Sequence, residues 1–193
     1  RTPAAPLVAT LIATLASITA AGANDHAGSL RPDQAGFRGL YKELVETNTT
    51  LSAGSCTLAA ERMAARLKAG GYRDNELRPF GVADHPKEGG LVATLAGSDP
   101  RAKAILLLAH IDVVEAKRED WARDPFVLVE ENGYFYGRGS FDDKAHAAIF
   151  TDTMVRLKQA KIRLRRPLIL ALTCGEETGG AFNGAQWLVT EHR

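Results

Sequence analysis

Two short apolar runs constrain the fold of this chain more than any other feature. Residues 105–109 read ILLLA, and residues 168–173 read LILALT. Runs of this length with no alternation of apolar and polar residues are typical of strands covered on both faces. Such strands occur mainly in parallel sheets that carry helices on each side.

Helical patterns separate and surround the two runs. Apolar residues recur at helical spacing over residues 37–45, 57–69 and 144–160, and a further helix is expected from residue 185 onward. Asn132-Gly133 lies between two β-rich segments and predicts a hairpin. Strands that alternate with helices predict an α/β domain with three layers, in which helices flank a mixed, largely parallel sheet.

Composition excludes some classes of protein. The 193 residues are 45% hydrophobic and 24% charged, with a net charge of +1. This is enough apolar material for one well-filled core, and the balanced charge predicts no nucleic-acid partner. Two cysteines, Cys56 and Cys174, do not form a disulfide framework. Cys174 follows a strand and is interpreted as a small buried apolar residue, while a single bridge between the two stays open.

The N-terminus differs from the rest of the chain. Residues 7–23 are uncharged and largely apolar, follow Arg1, and end in the small residues Ala-Gly-Ala. This pattern predicts a signal peptide over residues 1–23, with a polar linker over residues 24–36. The protein is then secreted or periplasmic and has no stable association with a membrane after cleavage. The alternative is a membrane anchor, since the run is just long enough to span a bilayer.

Charged side chains cluster at the ends of predicted elements. One pair follows the first apolar run, one precedes the helix at 144, and one follows the second run: His110 and Asp112, Asp142 and Asp143, and Glu176 and Glu177. Parallel strands deliver the residues at their carboxyl ends to one edge of the sheet. An imidazole grouped with several carboxylates needs a cation to balance the like charges, and this mixture of nitrogen and oxygen ligands suits zinc.

The spacing within each pair suggests a division of roles. Asp112, two residues beyond His110, can accept a hydrogen bond from the second ring nitrogen and fix the tautomer. Glu176 and Glu177 are adjacent, so their side chains diverge. One can bind metal while the other acts as a general base toward a water molecule.

Four sequence blocks carry a family resemblance. HIDVV, DWARDPF, GYFYGRGSFDDKA and TCGEETGG occur in this order. Together they resemble the di-zinc metallopeptidase family of the aminoacylases, carboxypeptidase G and carnosinase-type dipeptidases. The resemblance covers residues 37–193 and is most specific over residues 106–180. It implies that residues 37–193 are the N-terminal part of a catalytic domain.

The resemblance assigns a role to each residue of the site. It implies that His110 binds one zinc ion, that Asp112 orients His110 and that Asp142 bridges two zinc ions. It further implies that Glu176 is the general base and that Glu177 binds the second zinc ion. Co²⁺ or Mn²⁺ are the expected substitutes for Zn²⁺, and no other cofactor is implied. A cis peptide bond between Asp142 and the next residue is also expected.

The implied activity is hydrolysis of an amide or peptide bond in a small substrate. An exopeptidase or dipeptidase of carboxypeptidase type is the leading hypothesis, with a small peptide as substrate. The alternatives are a deacylase of N-acyl amino acids from the same family and a homologue without activity. The resemblance also implies two further ligands beyond residue 193, a lid and dimerisation domain after this point, and a homodimer as one possible assembly. By itself, the present stretch is expected to bind metal weakly and to lack activity.

Overall fold

The structure is a computed structural model that describes residues 30–179 and 182–191. The predicted signal peptide, residues 24–29 of the predicted linker and the last two residues of the chain lie outside the described part. Among the described residues, no helix has both the length and the apolar character needed to cross a membrane.

Ten regular elements and two short 3₁₀ turns make up the described chain. The helices are α1 (Pro32–Glu46), α2 (Cys56–Ala69), α3 (Lys144–Gln159) and α4 (Gly184–Glu191). The strands are β1 (Leu77–Val82), β2 (His85–Leu95), β3 (Ile105–His110), β4 (Val129–Glu131), β5 (Tyr134–Tyr136) and β6 (Leu168–Thr173). The 3₁₀ turns cover Asp74–Glu76 and Arg118–Asp120.

Four strands form the main sheet, in the order β1-β2-β6-β3. β1 and β2 pair antiparallel, as do β2 and β6, whereas β3 and β6 pair parallel. The mixed α/β sheet flanked by helices is therefore confirmed. Within the described residues β1, β3 and β6 run in one direction, and β2 runs against them. Because β1 and β2 are joined by a tight turn, they can only be antiparallel. The β3–β6 pair is joined by a crossover that contains α3, as parallel pairing requires.

The core lies between one face of this sheet and the helices α1, α2 and α3. Leu170 and Leu172 of β6 point into it and are fully buried, as is Leu91 of β2. On the opposite face, Leu106 and Leu108 of β3 are 57% and 48% exposed. The apolar run at 105–109 predicted a strand covered on both faces, but the described residues cover only one face of β3.

Helix α1 begins at Pro32, so residues 32–36 of the predicted linker are helical. The first turn contains Pro32, whose fixed φ suits this position. Asp33 lies in the same turn, where a negative charge is favoured by the helix dipole. The Gln34 side chain accepts a hydrogen bond from the backbone N–H of Arg31 at 3.1 Å. These start signals extend the helix beyond its apolar stripe.

The two cysteines form a disulfide bond. Cys56 opens α2 and Cys174 follows β6, and both are buried. The bond therefore ties the helical layer to the end of a central strand, and the interpretation of Cys174 as a small apolar residue is wrong. The predicted hairpin is confirmed, since β4 pairs antiparallel with β5 and Asn132 and Gly133 both have positive φ.

Candidate metal centre

Parallel pairing brings two of the predicted clusters to one edge of the sheet. β3 and β6 run side by side, and their last paired residues are His110 and Thr173. The backbone N–H of Ile111 continues the ladder by donating to the Thr173 oxygen at 2.8 Å. Residues that follow either strand therefore emerge at the same rim.

Three side chains meet at this rim. His110 Nε2 lies 3.1 Å from Asp142 Oδ1. One ligand atom from each of His110, Asp142 and Glu177 lies within 4.8 Å of the other two. Asp142 arrives from the loop before α3, and the expected cis peptide bond joins it to Asp143. The three ligand candidates thus come together from three separate parts of the chain.

Asp112 lies behind these residues and is almost fully buried. Its Oδ2 accepts a hydrogen bond from the backbone N–H of Glu177 at 2.9 Å. Its backbone oxygen lies 3.1 Å from His110 Nδ1, and its Oδ1 lies 3.5 Å from the same nitrogen. Two acceptors around Nδ1 favour a hydrogen on that nitrogen, which directs Nε2 toward Asp142. Asp112 therefore positions both His110 and the turn that carries Glu177.

Electrostatics at the rim favour a positive charge. Burial alone would lower the pKa of His110, but the carboxylates of Asp112 and Asp142 outweigh it and raise that pKa to about 9. Burial and the nearby Asp142 carboxylate raise the pKa of Glu177 above its usual range. Burial opposes ionisation of Asp112, yet the nearby His110 ring and a hydrogen bond from the backbone N–H of Glu177 lower its pKa.

This arrangement fits a divalent cation. Without a proton, His110 Nε2 and Asp142 Oδ1 direct lone pairs at each other across 3.1 Å. Either a proton or a cation must lie between them to relieve that repulsion. One imidazole nitrogen and two carboxylates form a ligand set of the kind that zinc binds. The ligand atoms of these three residues are therefore suited to a divalent metal ion.

Glu176 occupies a different position from its neighbour. Its side chain is 63% exposed, and Oε2 lies 3.9 Å from His110 Nε2. It therefore faces the solvent-exposed side of the cluster, while Glu177 is less exposed.

Lys144 is a buried residue of this region that the sequence analysis did not identify. Its side chain is fully buried, and Nζ donates to the backbone oxygen of Thr47 at 2.7 Å. Burial lowers its pKa to about 7, against the opposing effect of Asp112. The only available signal was its place directly after the Asp-Asp pair, which also suits an ordinary helix start.

The sheet, its helices and the cluster at the rim define an α/β domain with a candidate metal centre. Residues 106–193 match the model of peptidase family M20/M25/M40. The resemblance expected from the sequence is thereby confirmed.

Curated relatives match about half of the chain. The N-fatty-acyl-amino acid synthase/hydrolase PM20D1 of Bos taurus is 40% identical over 93 residues, which is 48% of this chain and 18% of the relative. Aminoacylase-1 of Dictyostelium discoideum is 35% identical over 96 residues, 49% of this chain and 24% of the relative. The chain thus spans only about a fifth to a quarter of the length of these relatives.

Solved structures share the fold at lower identity. The dipeptidase Dug1p of Saccharomyces cerevisiae aligns with a TM-score of 0.63 and 22% identity, covering 80% of this chain and 34% of its own. The M20 family metallo-carboxypeptidase Sso-CP2 of Sulfolobus solfataricus aligns with a TM-score of 0.62 and 21% identity, covering 79% and 33%. These likenesses establish the fold.

Proposed function

We propose that the protein containing this chain hydrolyses an amide bond in a small peptide, as a zinc-dependent exopeptidase or dipeptidase. One observation carries the proposal: ligand atoms of His110, Asp142 and Glu177 lie within 4.8 Å of one another. In this proposal His110 and Glu177 would each hold one of two zinc ions, and Asp142 would be a ligand of both. When bound, zinc polarises the scissile carbonyl and lowers the pKa of water.

The protein's own residues supply the proton transfers. Glu176 is exposed at the rim and takes a proton from the attacking water, then delivers it to the amine that leaves. Asp112 keeps the hydrogen of His110 on Nδ1 and holds the backbone of Glu177 at 2.9 Å. It acts through these two residues and does not touch the substrate.

Replacement of Glu176 by glutamine tests the assignment. In the complete protein loaded with zinc, we expect Glu176→Gln to retain wild-type metal content and to lose about 10²- to 10⁴-fold in kcat, because the amide cannot accept the proton. Metal content by elemental analysis and kcat on a dipeptide are the two measurements. Glu177→Gln is the matched control, since it removes a ligand and should lose metal. Near-wild-type turnover in Glu176→Gln would reject the proposal.

A second substrate class, the N-acyl amino acids, is favoured by the curated relatives. PM20D1 and aminoacylase-1, at 40% and 35% identity, are named for acyl-amino acid chemistry. Both substrate classes present an amide next to an amino-acid carboxylate, so the same cluster serves either. A panel of dipeptides and N-acyl amino acids, assayed at equal concentration with the zinc-loaded complete protein, separates them by kcat/KM.

We also propose that the protein is exported from the cytosol. The buried disulfide supports it, because such bonds persist mainly in oxidising compartments. Fractionation of the native host, with the mature N-terminus sequenced, tests both secretion and the cleavage expected after residue 23. A protein retained in the cytosol with an intact N-terminus would contradict it.

A further inference from the structure

Buried polar atoms without partners are concentrated directly behind the metal centre. Within the described residues, five buried side-chain atoms lack a hydrogen-bond partner. Four of them belong to residues that line one small cavity next to the disulfide: Thr49 Oγ1, Glu88 Oε2, Asp112 Oδ1 and Thr178 Oγ1. Thr49 and Asp112 are each only 2% exposed. Buried polar groups of this kind are satisfied in nearly all native proteins, so the placement of four such residues around one cavity points to a ligand.

The size of the cavity limits that ligand to a single small species. The space open to the centre of a water-sized sphere is about 10 Å³. Roughly this volume is needed to hold one water molecule. An organic group or a hydrated ion is too large.

The chemistry of the four atoms distinguishes water from a bare cation. Two are carboxylate oxygens, which can only accept hydrogen bonds while ionised, and two are hydroxyls, which can donate. A water molecule donates two hydrogen bonds and accepts two, so it can satisfy all four atoms at once. A cation would satisfy the carboxylates but leave both hydroxyl hydrogens without an acceptor among the described residues.

We propose that this cavity is a binding site for one structural water molecule that links Asp112 to Thr49, Glu88 and Thr178. Asp112 thereby gains contacts on both oxygens, since its Oδ2 already accepts from the backbone of Glu177. Thr178 is the next residue after Glu177, so the water and the direct hydrogen bond hold one turn at two points. Thr49 and Thr178 are positioning residues for the metal centre, and this consequence rests on the proposed function.

The tests use the complete protein. A high-resolution crystal structure of the wild type should show one density peak within hydrogen-bond distance of all four atoms. Thr49→Val removes a hydroxyl while keeping the side-chain shape, and it should abolish the peak. Thr49→Ser keeps the hydroxyl and should retain it. Thr151→Val is the matched control, because Thr151 is a buried threonine that donates within its own helix, to the oxygen of Ala147 at 2.7 Å.

Zinc affinity measures the positioning role without reference to turnover. In competition with a chelator, Thr49→Val and Thr178→Val should each weaken zinc binding by about tenfold, at the lower end of the effect of residues that support metal ligands. Thr49→Ser and Thr151→Val should bind zinc like the wild type. Unchanged affinity in both hydroxyl-deleted variants would overturn the positioning role.

The outcomes keep the two proposals apart. A wild-type cavity without density, or one with a peak about 2.3–2.6 Å from six or more oxygens as expected of Ca²⁺, would overturn the water site. If the wild type binds no zinc, the proposed function fails, while the density at the cavity still decides whether the water is present.

Discussion

Removal of the Cys56–Cys174 disulfide should lower stability by a large and calculable amount. The two cysteines are separated by 118 positions in the sequence. Cross-linking a loop of that length reduces the entropy of the unfolded chain by an amount that corresponds to about 5 kcal/mol at room temperature. The Cys56→Ala/Cys174→Ala variant should lose about that much free energy of unfolding.

Urea unfolding of the complete protein, followed by circular dichroism, measures the loss. With an m-value of about 2 kcal/mol/M, the midpoint should fall by about 2.5 M. The m-value itself should rise, because the unfolded chain without the cross-link exposes more surface. Reductant added to the wild type provides the control: it should reproduce the lower midpoint and have no effect on the double variant. A midpoint that moves by less than about 0.5 M would refute the argument from loop closure.

Two further predictions concern a partly buried carboxylate and two glycines. Burial opposes ionisation of Glu76, but hydrogen bonds from Arg73 and Lys158 lower its pKa to about 2. The ionised Glu76 carboxylate therefore stabilises the fold fully above its ordinary pKa of 4.5, and this contribution disappears as the pH falls toward 2. Glu76→Gln should thus lower the free energy of unfolding by about 2 kcal/mol at pH 7 and by almost nothing at pH 2. Urea titrations at both pH values measure the two differences. Gly139 and Gly133 both have positive φ, but a Cβ at Gly139 would lie 2.6 Å from a valine side chain whereas one at Gly133 meets nothing within 4 Å. Gly139→Ala should thus lower the melting temperature clearly more than Gly133→Ala, and equal shifts would show that strain at φ alone sets the cost.

The parts of the fold that follow local patterns were predictable from sequence. β6 occupies the predicted residues, and α3 ends one residue before its predicted end. The Asn132-Gly133 turn needs positive φ at both positions, which these residues adopt readily. The rim cluster was predictable too, because parallel strands place the residues that follow them at a common edge.

The structural features that could not be predicted from the sequence depend on contacts between distant parts of the chain. Two features require α2, β2 and β6 to be packed together. One is the bond between Cys56 and Cys174. The other is the cavity that is lined by Thr49, Glu88, Asp112 and Thr178. The reversed direction of β2 was not predictable, because apolar runs indicate burial and not strand direction. β1 and β2 turned out antiparallel through a turn that hydrophobicity alone does not reveal.

The parallel pairing of β3 with β6 has a consequence for the order of assembly. Ile105 pairs with Leu168, so this ladder cannot begin until the long crossover between them has been synthesised and folded back. The chain loses the entropy of closing this long loop before the stabilising contacts between β3 and β6 can form, so such pairing is slow. His110 leaves the ribosome well before Glu177, and the two side chains cannot come together at the rim until β6 is in place. Metal binding at this rim during synthesis would therefore occur only after β6 has paired with β3.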